Sequence, residues 1–241
     1  MTPADRCRRS LILERPPHPS AVPSPLLKIC GLRQQSQAAA VAGLGVDALG
    51  VIGVPGSPRW LEPAHRPALF AAMGQANPRC RGVLVVADPS DDDLENLRPV
   101  RGGHDLVQLH GQESPQRCHQ LGERLGCPLW KALRLRHPED LQQVSAYRGV
   151  VEAVLLDAWV PDQLGGTGQR IPLEWLVGFR PPMPWWLAGG ISASTVAMVL
   201  RAVQPDGLDA SSSVELAPGV KDIERVVQLL SVVKGPEGEG R

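Results

Sequence analysis

Eight short apolar runs, each followed by a stretch of helical character, recur along the chain about every 20–30 residues. This alternation limits the possible folds more than any other feature. The strand candidates are Leu26–Cys30, Ala48–Ile52, Gly82–Val86, Leu106–Leu109, Leu129–Leu133, Ala153–Asp157, Trp185–Ala188 and Gly207–Ala210. The stretches 34–44, 62–74, 91–98, 115–125, 138–147, 172–178, 192–203 and 221–233 predict helices. Strands that alternate with helices run parallel, because a parallel neighbour is reached only through a crossover of a dozen or more residues. Eight such units close a (β/α)8 TIM barrel, and 241 residues suit one. An open doubly wound α/β sheet is the rival. It rarely uses eight units this regular, and the chain has neither a GxGxxG turn after the first strand nor a P-loop signature.

The barrel is expected to occupy residues 26–234 as a single domain. Residues 1–25 read as a flexible Pro-rich tail, with prolines at 3, 16, 17, 19, 23 and 25, and residues 235–241 as a frayed C-terminal tail. The 25 basic and 25 acidic residues cancel, which argues against a nucleic-acid binder. No apolar run approaches the ~18 residues of a membrane span. The stretch Leu11-Ile12-Leu13 is too short for a secretory signal. Five cysteines (7, 30, 80, 118 and 127) contain no CxxC pair, which fits a reducing compartment and neither a disulfide framework nor a zinc site. A cytoplasmic protein without metal is the expectation, with no nucleic-acid or membrane partner. Only four of the 25 basic residues are lysine, which draws attention to Lys28, Lys131 and Lys221.

Active sites of such barrels lie at the C-terminal ends of the strands. Strand one ends Lys28-Ile29-Cys30-Gly31, and alternation puts Lys28 and Cys30 on one face. A nearby ammonium lowers a thiol pKa and makes thiolate available, although a buried free cysteine also serves simply as a small hydrophobe. Strand six ends in Asp157. Burying a carboxylate is costly, and partial burial favours the protonated acid; capping of the next loop is the other reading. Gln108 and His110 share a face at the end of strand four. Arg59, after strand two, could clamp a carboxylate with its planar fork or could be merely solvated. Gly165-Gly166-Thr167-Gly168 is a glycine-rich loop. Gly189 and Gly190 follow strand seven, and Ser211 and Ser212 follow strand eight, where these barrels often hold phosphate; helix capping is the bland alternative for the serines.

Taken together, these strings resemble the phosphoribosylanthranilate isomerase family of tryptophan biosynthesis. The resemblance runs in order through Lys28-Ile29-Cys30-Gly31-Leu32, Gly45-Val46-Asp47-Ala48-Leu49-Gly50, Ser57-Pro58-Arg59, Gln108-Leu109-His110-Gly111, Leu155-Leu156-Asp157-Ala158, Gly165-Gly166-Thr167-Gly168, Leu187-Ala188-Gly189-Gly190, and Val214-Glu215 through Asp222. It covers residues 27 to about 233. It implies an Amadori rearrangement of a small phosphosugar carrying anthranilate, with Cys30 as general base and Asp157 as general acid and with no cofactor. It further implies that Arg59 binds the anthranilate carboxylate and that Gly189, Gly190, Ser211 and Ser212 cradle the phosphate. Asp209 is placed near the ribose hydroxyls, and Gln108 and His110 line the mouth. A monomer is expected.

The chain departs from the family pattern at Ser213, where glycine is usual, and at Arg33, where a small hydroxyl residue is usual. If position 213 has positive φ, serine costs up to ~1–2 kcal/mol there. The nearest rival is the histidine-pathway isomerase on the same barrel, which has an aspartate where this chain has Cys30. Indole-glycerol-phosphate synthase would need a lysine and glutamate set that these strand ends lack. A non-catalytic phosphoribosyl-binding barrel is the rival from another class.

Overall fold

A computed structural model describes residues 24–159 and 169–235, and each of the eight apolar runs forms a strand in it. They are β1 (Leu26–Cys30), β2 (Ala48–Ile52), β3 (Arg81–Val86), β4 (Leu106–Leu109), β5 (Leu129–Leu135), β6 (Ala153–Ala158), β7 (Trp185–Leu187) and β8 (Gly207–Ala210). Each pairs in parallel with its sequence neighbours, and β8 returns to β1 with Lys28 opposite Asp209. The fold is the expected (β/α)8 barrel. Residues 1–23, Gly165–Gly168 and 236–241, about which expectations were stated, lie outside the described residues.

Strand alternation sorts the side chains into two apolar layers. Outward residues such as Leu27, Ile29, Leu84, Val107 and Leu156 pack against the helices. The helices meet them at i, i+3, i+7 spacing, as with Cys118, Leu121 and Leu125 of Pro115–Leu125 and Val226, Leu229 and Val233 of Ile223–Lys234. Inward residues fill the barrel, among them Val83, Leu106, Trp130, Leu155 and Trp186. The rings of Trp130 and Trp186 lie 4.6 Å apart between centroids. Trp130 stands second in β5 and Trp186 in the middle of β7, and Arg81, paired with Glu152, lies over the Trp130 ring. The barrel floor is therefore sealed, and side chains nearer the C-terminal ends line the open mouth.

Several helices differ from expectation for local reasons. The stretch 91–98 gives only Leu94–Leu97, followed by Pro99–Gly102, because Arg98 precedes proline and is held extended. Pro138–Tyr147 winds as a 3-10 helix, in which the Ser145 hydroxyl donates to the Gln142 carbonyl three residues back. Leu173–Leu176 is a single 3-10 turn. The helix expected over 192–203 begins at Val196. An antiparallel hairpin, β9 (Glu215–Ala217) and β10 (Val220–Lys221), follows β8 and was not foreseen. Among the described residues no helix is long and apolar enough to cross a membrane.

His104, just before β4, is buried and donates through Nε2 to the Leu97 carbonyl at 3.0 Å. Burial pushes its pKa down to about 4 from 6.5. Below pH 6.5 the unfolded chain takes up a proton that the folded chain refuses, so stability falls as pH drops from 6.5 towards 4. The expected loss is roughly 3 kcal/mol at most, at about 1.4 kcal/mol per pH unit. Urea unfolding across this window should show a shallower decline in His104→Gln; an identical decline in both proteins would contradict it.

Candidate active site

A cavity of about 570 Å³ opens at the C-terminal mouth of the barrel. Cys30 reaches it from β1, Asp157 from β6, Asp209 from β8, and Gln108 and His110 from the end of β4. Arg59, Gly189, Gly190, Ser211 and Ser212 border it from the loops. All the residues singled out for the site in the sequence, except those of Gly165–Gly168, which lie outside the described residues, thus face one space.

Lys28 lies one inward position below Cys30 and is fully buried. Its ammonium sits 3.0 Å from Asp209 Oδ1. Burial works against the lysine charge, but Asp209 and the adjacent thiol outweigh it, so Lys28 keeps its proton more tightly than a free lysine. Cys30 does not follow the simple expectation of a thiolate beside an ammonium. Burial pushes its thiol up more strongly than Lys28 pulls it down, and Asp209 adds to the rise. The thiol is thus held above its usual range.

Asp157 is buried, and its Oδ1 accepts the backbone N–H of Ala158 at 2.9 Å. Its Oδ2 lies 3.7 Å from Nε2 of His110. The Gln108 amide meets His110 Nδ1 at 3.1 Å, which fixes the ring and directs Nε2 towards the carboxyl. The His110 Nε2 and Gln108 Oε1 atoms are buried without a hydrogen-bond partner among the described residues. A bound molecule bearing hydroxyls could satisfy both.

The loops after β7 and β8 are tied together. Ser213 donates its hydroxyl to the Ile191 carbonyl, and Ser211 donates to the Cys30 carbonyl at 3.0 Å. Ser213 lies in the 3-10 turn Ser212–Val214 and is not among the residues with positive φ, so the strain entertained for serine there does not arise. Gly189 does need to be glycine, with φ 90° and the Gln169 carbonyl 2.4 Å from where a Cβ would stand.

Arg59 is not an open fork. Its Nε and Nη2 donate to Glu215, the latter at 2.7 Å, and Lys221 binds the same carboxylate at 2.6 Å. Burial opposes the charge on Glu215, but the two cations outweigh it and hold the carboxyl below its usual range. Lys221 also donates to the Cys30 carbonyl. Arg33 extends from the β1 loop to the Pro58 carbonyl at 3.3 Å, bracing the loop that carries Arg59. Glu215 was given no role in the sequence because its significance comes from Arg59, a partner 156 positions away. The scarcity of lysine did signal Lys28 and Lys221, but it also pointed to Lys131, which pairs with Glu113 at 2.8 Å and does not line this cavity.

A parallel barrel sealed at its floor and carrying titratable groups around its mouth is an α/β-barrel enzyme. The family described as N-(5'phosphoribosyl)anthranilate (PRA) isomerase has a model that matches residues 27–232. The chain belongs to that family. The N-(5'-phosphoribosyl)anthranilate isomerase of Gloeobacter violaceus is 42% identical over 219 residues, covering 89% of this chain and 96% of the relative. The crystal structure of phosphoribosyl anthranilate isomerase from Thermus thermophilus matches with a TM-score of 0.72 at 30% identity, over 86% of this chain and 98% of that one. A further structure, of the isomerase in complex with reduced 1-(o-carboxyphenylamino)-1-deoxyribulose 5-phosphate, matches with a TM-score of 0.71 at 25% identity, over 88% and 99%.

Because Ser213 is unstrained and ties two loops, Ser213→Gly is expected to destabilise the protein by roughly 1 kcal/mol, the net worth of one hydrogen bond. Urea unfolding would read this; a gain in stability would mean that serine is strained there after all.

Proposed function

We propose that the chain converts N-(5-phosphoribosyl)anthranilate into 1-(2-carboxyphenylamino)-1-deoxyribulose 5-phosphate, with Asp157 as acid and Cys30 as base. The observation that carries this reading is the convergence of a carboxyl from β6 and a thiol from β1 on one cavity, beside the tied loops after β7 and β8. The product analogue bound by the related isomerase supports a phosphorylated ligand of this kind.

In this reading Asp157 acts as the proton donor and Cys30 as the proton acceptor. Asp157 gives its proton to the ribose ring oxygen while the C1–O bond breaks, and the anilino nitrogen lone pair forms an iminium with C1. That positive charge acidifies the C2 hydrogen and stabilises thiolate nearby, offsetting the burial that pushes the Cys30 thiol up. Cys30 removes the C2 proton, and the electron pair moves to C1–C2 to give an enolamine. Protonation at C1 and loss of the C2 hydroxyl proton yield the ketone. C1 is reduced and C2 oxidised within one molecule, so the enzyme is an aldose–ketose isomerase of the intramolecular oxidoreductase type. The iminium serves as the electron sink, and these steps use no cofactor.

Arg59, with two donors committed to Glu215, is oriented to meet the anthranilate carboxylate with its remaining Nη1 edge. Gly189, Gly190, Ser211 and Ser212 hold the phosphate. Asp209, whose Oδ1 is taken by Lys28, has its second oxygen for the ribose hydroxyls. Gln108 and His110 offer their two unpaired atoms at the same mouth. The free cysteines 30, 80 and 118 fit a cytoplasmic enzyme, and a cavity lined by residues of one chain fits a monomer.

With freshly prepared phosphoribosylanthranilate, Cys30→Ala and Asp157→Asn are each expected to lower kcat by about 100-fold or more, the usual worth of a general acid or base. Wild-type turnover in either folded variant would remove that residue from its role. Arg59→Ala should raise KM by about tenfold or more, as loss of a charge-assisted hydrogen bond does, and an unchanged KM would dismiss the clamp. Rescue of a tryptophan auxotroph lacking this isomerase tests the activity as a whole.

A further inference from the structure

Gly50 lies on β2 directly opposite Cys30 in the strand register and faces the barrel interior with it. It is not among the glycines with positive φ, so its backbone conformation does not call for glycine. What does is the space above it. A Cβ at Gly50 would stand 2.7 Å from Cys30 Sγ, 3.1 Å from Lys28 Cε and 3.2 Å from Cys30 Cα. The Lys28 ammonium is anchored 3.0 Å from Asp209, and the Cys30 main chain is held at its carbonyl by Ser211 and Lys221, so the sulfur yields only by rotating about its own Cα–Cβ bond.

We infer that Gly50 is a positioning residue for the reaction: its bare backbone is the slot in which the Cys30 thiol and the end of the Lys28 side chain lie side by side. This rests on Cys30 being the base. A methyl group in the slot would wedge sulfur and lysine apart, displacing the base from the substrate and weakening the cation that favours its ionised form. The other charged or titratable groups around the thiol are Asp209 from β8 and Lys221 from β10, with Asp157 of β6 and His110 after β4 lining the same cavity.

The test is Gly50→Ala in the full chain. Turnover at saturating substrate should fall by about tenfold or more while KM stays within about twofold, since a small displacement of a catalytic group costs rate more than binding. Alkylation of Cys30 by iodoacetamide, followed by mass spectrometry on the peptide that carries it, should shift its pH midpoint upward by about half a unit or more. Wild-type kcat together with an unmoved midpoint would overturn the inference. Thermal unfolding completes the test: the stability lost on Gly50→Ala should shrink when the substitution is made in Cys30→Ala, because the 2.7 Å contact is then gone. If Gly50→Ala fails to fold, the double variant should fold. A double variant that also fails would show that the strand, and not the sulfur, needs this glycine. Wild-type turnover in Cys30→Ala alone would refute the base assignment, while the midpoint and the unfolding comparison would still report on the slot.

Discussion

Lys28 and Asp209 meet at the seam where β1 pairs with β8, and their ion pair sets the terms for the whole mouth. Taking two charges out of water costs several kcal/mol per ion, and such a pair persists only when each charge is well met. Here the lysine is buried completely and the carboxylate nearly so. The pair puts a fixed cation one inward position below Cys30 and leaves one Asp209 oxygen for other partners. The thiol is nonetheless raised by burial, so the chemistry assigned to it needs the positive charge that the substrate develops.

A second buried group of charges organises the rim. Glu215 gathers Arg59 from the loop after β2 and Lys221 from β10, and Lys221 reaches on to the Cys30 carbonyl. The short hairpin after β8 exists to place this carboxylate and lysine side by side, since residues 215 and 221 pair across it. The network fixes the arginine fork with its occupied edge towards protein. It also joins the β1 end to both the β2 and the β8 loops, which flexible surface arginines could not do.

Cys30 and Asp157 were legible in the sequence because each ends an apolar strand, and strand parity dictates which way such a residue points. The expected strand bounds were nearly those observed, since uninterrupted apolar runs are what a parallel sheet covered by helices requires. Helices 91–98 and 172–178 were drawn too long, and 138–147 has the wrong winding. Prolines and a side-chain hydrogen bond compete with α-helix there more strongly than periodicity promotes it. Ser213 was flagged for a strain it does not have, because its φ depends on the turn in which β8 ends. Glu215 and Gly50 stood only inside strings of the resemblance, without a role of their own: neither residue type, alone in a chain, announces what will be packed against it.

The sequence by itself determined the number of strands, their order and the parity that turns a lysine, a thiol and a carboxyl inward, because periodicity is a property of neighbouring residues. Only the closed barrel decided which of those groups touch. Lys28 and Asp209 are 181 positions apart, and no local pattern records that they will share a buried contact. The same closure decided the upward push on the Cys30 thiol and the commitment of Arg59 to Glu215, since both depend on burial and on opposing charges, which exist only once distant strands are brought together.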